Sequence, residues 1–232
     1  NFKDALASRG RNNIVRQFPR IGGIDLTGCV AQSADSRFKP GDEVIVHGFG
    51  IGVDHDGGYS QFARVPGDWI MPLPEGLSLY EAAVLGVAGY TAGLSLHWME
   101  LNGLTPAHGP VLVSGATGGV ASIAIDMLSQ RGYKVTAMTG NTDAHDALEA
   151  LGATDVIGRI SDAVPTKPLE KGQWAGAVDS VGGSTLAWLT RTMLPDGVIA
   201  AFGNAGGASL DATVLPFILR GVRLIGINAN SP

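Results

Sequence analysis

Residues 111–122 have the sequence VLVSGATGGVAS, in which a run of apolar residues leads into a glycine-rich turn. Apolar residues then recur at the helical spacing i, i+3, i+4, i+7 and i+8, at Val120, Ile123, Ala124, Met127 and Leu128. A turn between a strand and a helix brings unpaired N–H groups to the helix N-terminus, where the dipole also favours an anion. The stretch therefore predicts a strand–turn–helix unit that binds a dinucleotide through its pyrophosphate.

The turn departs from the dinucleotide motif G-x-G-x-x-G. Its register is Ala116-x-Gly118-x-x-Ala121, so two of the three glycines are alanines. The strand before it and the helix after it supply the context that the motif requires, and alanine at the third position still permits close packing. A glycine-rich turn without a ligand remains the alternative. The predicted pyrophosphate-binding residues are Ala116, Thr117, Gly118, Gly119 and Val120.

Strand and helix patterns alternate along the rest of the chain. A long apolar helix is predicted at 78–99, before the turn. After the turn, strands are predicted at 134–139, 155–157, 175–179, 198–202 and 222–227. Helices are predicted at 143–151, 184–194 and 212–220. This alternation indicates a doubly wound α/β fold, in which helices cover both faces of a parallel sheet.

The first seventy-odd residues have a different pattern. Short β-type runs follow turn signals, as at 43–46 and 61–65, so this part is predicted to be all-β. The sequence PLPEGL at 72–77 marks a boundary between two domains. We therefore predict domains at 1–77 and 78–232.

Composition excludes several classes of protein. The 232 residues are 45% apolar and include 16 Lys and Arg against 21 Asp and Glu. Disordered chains combine low hydrophobicity with high net charge, and nucleic-acid binders carry clustered basic residues, so neither class fits. One cysteine excludes a disulfide framework and a cysteine-rich zinc site. It also indicates a reducing compartment, and we expect a cytoplasmic protein.

The uncharged apolar windows 82–96 and 111–125 are shorter than the ~20 residues that a membrane helix needs. No membrane span is therefore expected. The chain begins at Asn1 rather than at Met, so we expect a fragment of a longer protein.

The second predicted strand carries no acidic residue where NAD-binding folds place one. Its end has the sequence Met138-Thr139-Gly140-Asn141, and the next carboxylate is Asp143. Nothing there would repel a 2′-phosphate, so NADPH is allowed as the cofactor. Thr139, Gly140 and Asn141 would contact it, and Arg159 is the nearest cation downstream. The alternative for Arg159 is a solvated loop charge.

Two further glycine turns follow predicted strands, at 179–183 and 202–207. Ligands of open α/β sheets bind outside the carboxyl ends of the strands, which is where both turns fall. We expect them to contact the ribose and nicotinamide, although both also fit simple turn chemistry. The predicted contacts are Ser180, Val181, Phe202, Gly203 and Asn204.

Several segments together resemble the zinc-free medium-chain dehydrogenases/reductases, and within them the quinone oxidoreductase-like acryloyl-CoA reductase family. The phosphate turn is one of these segments. The others are NFKDAL at 1–6, PRIGGIDLTG at 19–28, GDEVIV at 41–46, GDW at 67–69, GVAGYTA at 86–92 and PFILRGVRL at 216–224. The resemblance implies a Rossmann domain beside a truncated all-β GroES-like domain. It also implies NADPH-dependent reduction of an activated alkene such as acryloyl-CoA.

The same resemblance implies a site without zinc. Zinc-dependent relatives have Cys where Asn1 stands and His-Glu where Ile24-Asp25 stands, and neither Asn1 nor Ile24 is a zinc ligand. The implied catalytic residues are Asn1 as a donor to the substrate or nicotinamide amide, with Lys3 and Asp4 orienting the segment and Asp4 relaying a proton. An exposed ion pair is the alternative for Lys3 and Asp4.

Further contacts follow from the resemblance. Phe2 replaces a usual Tyr, so only its ring would pack on the cofactor, and Asn141 replaces a usual Arg that binds the 2′-phosphate. Thr91 would line the nicotinamide pocket, or else belong to the core. Relatives dimerise through an edge strand like 222–227, which implies a homodimer. An NADPH:quinone oxidoreductase and a non-catalytic NADPH-binding protein remain alternative functions.

Overall fold

The computed structural model describes residues 2–11, 13–160 and 167–230. These residues divide into two units. One comprises the described residues of Asn1–Tyr90 and Asn228–Pro232, and the other comprises Thr91–Ile227. The domain limits predicted from the sequence, 1–77 and 78–232, differ from these borders and stay a prediction.

A six-stranded parallel sheet forms the centre of the second unit. Its strands are β4 (Val111–Ser114), β5 (Val135–Met138), β6 (Asp155–Ile157), β7 (Trp174–Asp179), β8 (Met193–Ala201) and β9 (Arg223–Gly226). The spatial order is β6-β5-β4-β7-β8-β9, and all five neighbouring pairs are parallel. This is the order 3-2-1-4-5-6 of the dinucleotide-binding fold. The predicted doubly wound α/β fold is therefore confirmed.

Helices bury both faces of this sheet. They are α2 (Leu79–Leu101), α3 (Gly119–Gln130), α4 (His145–Ala150), α5 (Gly183–Thr192) and α6 (Leu215–Arg220). Val111 and Val113 of β4 belong to the core cluster that includes α3, whereas Leu112 belongs to the cluster that includes Leu189 of α5. Successive side chains of a strand point to opposite faces of the sheet. The continuous apolar run of β4 therefore contributes side chains to the core clusters on both faces.

The ends of several elements differ from the sequence expectations. Helix α5 ends at Thr192 rather than at 194, because β8 begins at Met193. Asp196 and Gly197 lie inside β8. The pairing register of β8 with β7 shifts at this part of the strand. The helix predicted at 143–151 is a 3₁₀ turn followed by α4.

A three-stranded antiparallel sheet lies in the first unit. Its strands are β1 (Asp25–Cys29), β2 (Glu43–His47) and β3 (Met71–Pro72), in that order. The strand predicted at 43–46 is confirmed. The strand predicted at 61–65 is wrong, because its β-type residues pair with no strand of the described chain. A short helix, α1 (Phe2–Ala7), precedes the sheet and was not indicated by the sequence.

Helix α2 is interrupted at Gly86, whose dihedrals (φ 46°, ψ −151°) are not helical. By length and composition alone the 23-residue helix qualifies as a membrane span, a test that core helices also pass. The uninterrupted part, 87–101, is about 22 Å long at 1.5 Å per residue, which is less than the ~30 Å of a bilayer core. This favours a core helix, and the absence of a membrane span stays a prediction.

Candidate functional site

The turn between β4 and α3 presents backbone N–H groups that no side chain covers. Gly118 is the N-cap of α3, with extended dihedrals and no side-chain hydrogen bond to the helix end. Thr117, Gly118 and Gly119 are all exposed. The first N–H groups of a helix have no acceptor inside the helix. This helix end is therefore a site where an anion would find unpaired donors and the positive end of the dipole.

Two amides of the predicted phosphate-binding stretch are already used inside the protein. The N–H of the buried Ala116 donates to the Met138 carbonyl at 3.0 Å, and that of Gly118 donates to the Gly115 carbonyl at 2.8 Å. These bonds shape the turn rather than face a ligand. Within residues 116–120, the amides that remain for an anion are those of Thr117, Gly119 and Val120.

The glycine turns after β4, β7 and β8 are in direct contact. A Cβ on Gly115 would overlap the Ser180 hydroxyl, and a Cβ on Gly203 would overlap the Ser180 carbonyl oxygen. The Val181 carbonyl accepts a hydrogen bond from the Gly206 N–H at 2.7 Å. These distances leave no room for a side chain at Gly115 or at Gly203. The structure thus brings the predicted residues Ser180, Val181 and Gly203 beside the phosphate turn.

Asp179 and Ser114 join the ends of β4 and β7, and both are fully buried. The Ser114 hydroxyl donates to Asp179 Oδ1 at 2.6 Å. The N–H groups of Val181 and Gly182 donate to Oδ1 and Oδ2 of the same carboxylate, at 3.2 and 2.9 Å. Ser114 Oγ in turn accepts from the Ser180 N–H at 3.1 Å. The sequence analysis missed these two residues, whose only signal was a polar side chain at the end of each apolar strand.

The end of β5 gathers the residues predicted to contact the adenosine ribose. Asn141 donates its N–H to Thr139 Oγ1 at 3.1 Å, and its side-chain oxygen accepts from the Asp143 N–H at 3.1 Å. The guanidinium of Arg159 lies over Gly140, because a Cβ on Gly140 would be 2.6 Å from Arg159 Nε. No carboxylate of the described chain lies within ion-pair distance of Arg159. The positive charge of Arg159 is thus available to a ligand at the carboxyl end of β5.

The remaining predicted contacts of this unit lie in different surroundings. Thr91 is buried on α2, and its carbonyl accepts from the Ser95 hydroxyl at 2.7 Å. Phe202 is half-buried and donates its N–H to the Asp179 carbonyl at 3.1 Å, whereas Asn204 is exposed. Their roles stay predictions.

Three of the four predicted residues of the N-terminal segment lie in the described chain, while Asn1 lies outside it. Lys3 Nζ donates to Asn230 Oδ1 at 2.7 Å, and Asp4 Oδ1 accepts from the Ile24 N–H at 3.1 Å. Burial lowers the pKa of Lys3, and the Asp4 carboxylate partly offsets this. Phe2 is exposed. Lys3 and Asp4 therefore tie α1 to two other parts of the first unit.

The carboxylate of Asp25 is used by the backbone of α2. Its Oδ2 accepts a hydrogen bond from the Val87 N–H at 2.9 Å, directly after the break at Gly86. Nearby, the buried ring of His47 packs 4.5 Å from that of Tyr90. Burial lowers the pKa of His47, while the Asp25 charge acts in the opposite direction. The Asp25 carboxylate thus supplies an acceptor to the backbone at the start of the second part of α2.

Within the described ranges, no three His, Cys, Asp or Glu side chains come close enough to share a metal ion. Ile24 has no ligand atom in its side chain, and the Asp25 carboxylate is already hydrogen-bonded. The expectation of a site without metal stays a prediction, since Asn1 lies outside the described chain.

Two sequence families match the chain. Residues 1–75 match the alcohol dehydrogenase GroES-like domain, and residues 119–232 match the family described as zinc-binding dehydrogenase. The first match covers the predicted all-β part, and the second begins in the phosphate turn. Together they support two domains of the kinds expected from the sequence.

Three bacterial relatives are similar over nearly all of the chain. Acrylyl-CoA reductase AcuI of Ruegeria pomeroyi is 49% identical over 231 residues, which are 99% of this chain and 70% of AcuI. YhfP of Bacillus subtilis, provisionally named a quinone oxidoreductase, is 54% identical with the same coverage. Its crystal structure with NAD bound has a TM-score of 0.95 and covers 100% of this chain, which spans 71% of it. YhdH of Escherichia coli K-12, crystallised with NADPH, is 45% identical with a TM-score of 0.97, at coverages of 100% and 72%.

Proposed function

This chain belongs to the quinone oxidoreductase-like acryloyl-CoA reductase family of the medium-chain dehydrogenase/reductase superfamily, and on that premise we propose an NADPH-dependent reductase of activated alkenes. Its proposed substrate is acryloyl-CoA or a similar enoyl thioester. The names of the relatives support this choice, since AcuI is an acrylyl-CoA reductase and YhdH was crystallised with NADPH. A quinone reductase is the second candidate, because YhfP is provisionally named a quinone oxidoreductase. The crystal structure of YhfP contains NAD.

The observation that carries the proposal is the uncovered helix end after β4. The dinucleotide of such folds binds where the strand order reverses, and here β4 and β7 are the strands at that point. The amides of Thr117, Gly119 and Val120 would hold the pyrophosphate. The turns at Ser180 and Gly203 would contact the nicotinamide half. The residues present fit the cofactor, because Thr117, Gly118 and Gly119 are exposed and no side chain caps this helix end.

Arg159 supports NADPH over NADH. Its guanidinium lies over Gly140 at the end of β5, where the adenosine ribose binds in such folds. A guanidinium forms strong, charge-assisted hydrogen bonds with phosphate. Asn141, which replaces the arginine of relatives, would add an amide donor. Arg159 would therefore take over the role of the missing arginine from a neighbouring strand.

When bound, NADPH would supply a hydride for the β-carbon of the conjugated thioester. The electron pair of the C=C bond would then move toward the thioester oxygen, and the α-carbon would take up a proton. The protein must hold the reactants at near-attack distance and direct hydrogen-bond donors to that oxygen. Asn1 is the proposed donor to the substrate or nicotinamide amide, and Asp4 the proposed proton relay. The bonds of Lys3 to Asn230 and of Asp4 to the Ile24 N–H support their role in orienting this segment.

A homodimer through β9 is part of the proposal. This strand ends the sheet order, so one of its edges has no partner within the described sheet. Val214, Ile218 and Leu219 on or beside α6 are exposed apolar residues next to it in the chain. An uncovered apolar edge favours association with a second copy. Sedimentation of the full-length protein should give a dimer, and a monomer at all concentrations would contradict this part.

The substrate is tested by comparing NADPH oxidation with acryloyl-CoA and with a soluble quinone. Faster turnover of acryloyl-CoA is the expected result, and faster turnover of the quinone would favour the second candidate. NADPH binding without turnover of either acceptor would indicate a non-catalytic protein.

The cofactor site is tested by placing a carboxylate in the turn. Thr117→Glu should weaken NADPH binding by at least about tenfold in calorimetry, because the new charge would face the pyrophosphate. Thr105→Glu is the matched control, since it adds the same charge at another exposed threonine of the same unit. Equal affinities for both variants would contradict the proposed site.

A further inference from the structure

We propose that Asp179, acting with Ser114, is a positioning residue that fixes the nicotinamide half of the dinucleotide site. This inference rests on the proposed function. Neither side chain reaches the surface of the turn, since both are fully buried, so neither would contact the cofactor itself. Their effect would pass through the backbone of the turn at 180–182.

The pair lies where the two halves of the sheet meet. Strands β4 and β7 run side by side, with Val113 opposite Val178. The connections on the β4 side lead to β5 and β6, and those on the β7 side lead to β8 and β9. Each half of this fold binds one mononucleotide. The bond between Ser114 and Asp179 therefore links the adenosine half to the nicotinamide half.

The Asp179 carboxylate holds the β7 turn at several points. Oδ1 accepts from the Ser114 hydroxyl and the Val181 N–H, and Oδ2 accepts from the Gly182 N–H. The Ser180 N–H is bonded to Ser114 Oγ, and the Ser180 hydroxyl donates to the Ser114 carbonyl at 2.8 Å. The side chains of Ser114 and Asp179 thus supply the hydrogen-bond acceptors for three successive N–H groups of the turn, at residues 180–182.

The turn after β8 is held in position by contacts with the turn after β7. The carbonyl of Val181 accepts from the Gly206 N–H, and the carbonyl of Asp179 accepts from the Phe202 N–H. A Cβ on Gly182 would lie 2.6 Å from the Gly207 carbonyl oxygen, so the two turns are in contact there. A shift of the β7 turn must therefore displace the β8 turn. Both turns would present the groups that face the nicotinamide half.

Asp179→Asn tests the carboxylate with almost no change of shape. The amide nitrogen replaces one acceptor oxygen by a donor, so it must face the N–H of Val181 or of Gly182. That N–H is then buried without an acceptor, and the turn shifts to find one. We expect the dissociation constant of NADPH to rise by about 10- to 100-fold, the factor of one or two such hydrogen bonds. The affinity for adenosine 2′,5′-bisphosphate, which lacks the nicotinamide half, should change by less than about threefold.

Two further variants make the test decisive. Ser114→Ala removes the acceptor of the Ser180 N–H and should weaken NADPH binding in the same selective way, by about 3- to 10-fold. Thr190→Val is the control for a lost buried hydroxyl, because its Oγ1 donates only within α5, to the Ala187 carbonyl at 2.8 Å. It should reduce thermal stability without changing either affinity. If Asp179→Asn does not fold, the Ser114→Ala protein decides the question.

The outcomes separate the inference from the proposed function. An unsubstituted protein that binds no NADPH would refute the proposed function, whatever the variants do. If it binds NADPH and the folded Asp179→Asn protein binds it equally well, the positioning role is refuted. A loss that is equal for NADPH and for adenosine 2′,5′-bisphosphate would also refute it, since a general structural role predicts that result.

Discussion

Arg159→Gln should change the cofactor preference of this protein and little else. Glutamine keeps a polar side chain at this position but removes the charge that would bind the 2′-phosphate. The guanidinium lies over Gly140 and has no ion-pair partner in the described part of the chain, so its loss should disturb no existing contact of that kind. A hydrogen bond to a charged group contributes about 1.5–3 kcal/mol, which corresponds to roughly 10- to 100-fold in affinity.

The assay is kcat/KM for NADPH and for NADH with the same acceptor. In Arg159→Gln, the ratio of kcat/KM for NADPH to kcat/KM for NADH should fall by roughly 10- to 100-fold. The fall should come from a lower kcat/KM for NADPH, while the value for NADH stays unchanged. Arg131→Gln is the matched control, because it removes a surface charge of the same unit that pairs with Glu100 at 2.6 Å. High salt should reduce the difference between the two cofactors in the unsubstituted protein, since exposed charges are screened.

Gly140→Ala tests the same contact from the other side. The new Cβ would lie 2.6 Å from Arg159 Nε, so the guanidinium must move away. The preference for NADPH should fall in this variant too. A ratio that stays within about twofold of the original in both variants, or an equal loss with both cofactors, would refute the role of Arg159.

Three further predictions concern single side chains. Because burial lowers the pKa of His47, the unfolded chain takes up a proton first on acidification. Stability measured by urea should therefore fall as the pH drops below about 6.5, and His47→Phe should reduce that dependence. Asp25→Ala removes an acceptor of the Val87 N–H and should lower the free energy of unfolding by about 1–2 kcal/mol, whereas Asp25→Asn should restore part of it. Burial and the Glu100 charge raise the pKa of Tyr133 to about 12, so Tyr133→Phe should remove the highest step of an ultraviolet phenol titration. Loss of a step near 10 instead would contradict this assignment.

The sequence predicted the parts of the fold that depend on local pattern. The apolar run of β4, the glycine turn and the periodicity of α3 lie next to one another in the chain, and the structure has them as expected. The hydrogen bond between Ser114 and Asp179 could not be predicted from local pattern, because 65 positions separate the two residues in the chain. The break at Gly86 was missed because Asp25, which accepts from the following N–H, belongs to a distant strand. The strand expected at 61–65 had the local composition but lacks a neighbour in the described sheet.

The contact between the glycine turns has a consequence for protein engineering. At Gly115, Gly182 and Gly203 even a methyl group meets backbone or hydroxyl atoms of the opposite turn. Mutant libraries that seek a changed coenzyme requirement would lose most of their folded members if they randomised these positions. The exposed residues Asn141 and Arg159 offer the opposite situation, because substitutions there leave the interlocked backbone untouched. Directed evolution of this protein should therefore begin at the carboxyl end of β5.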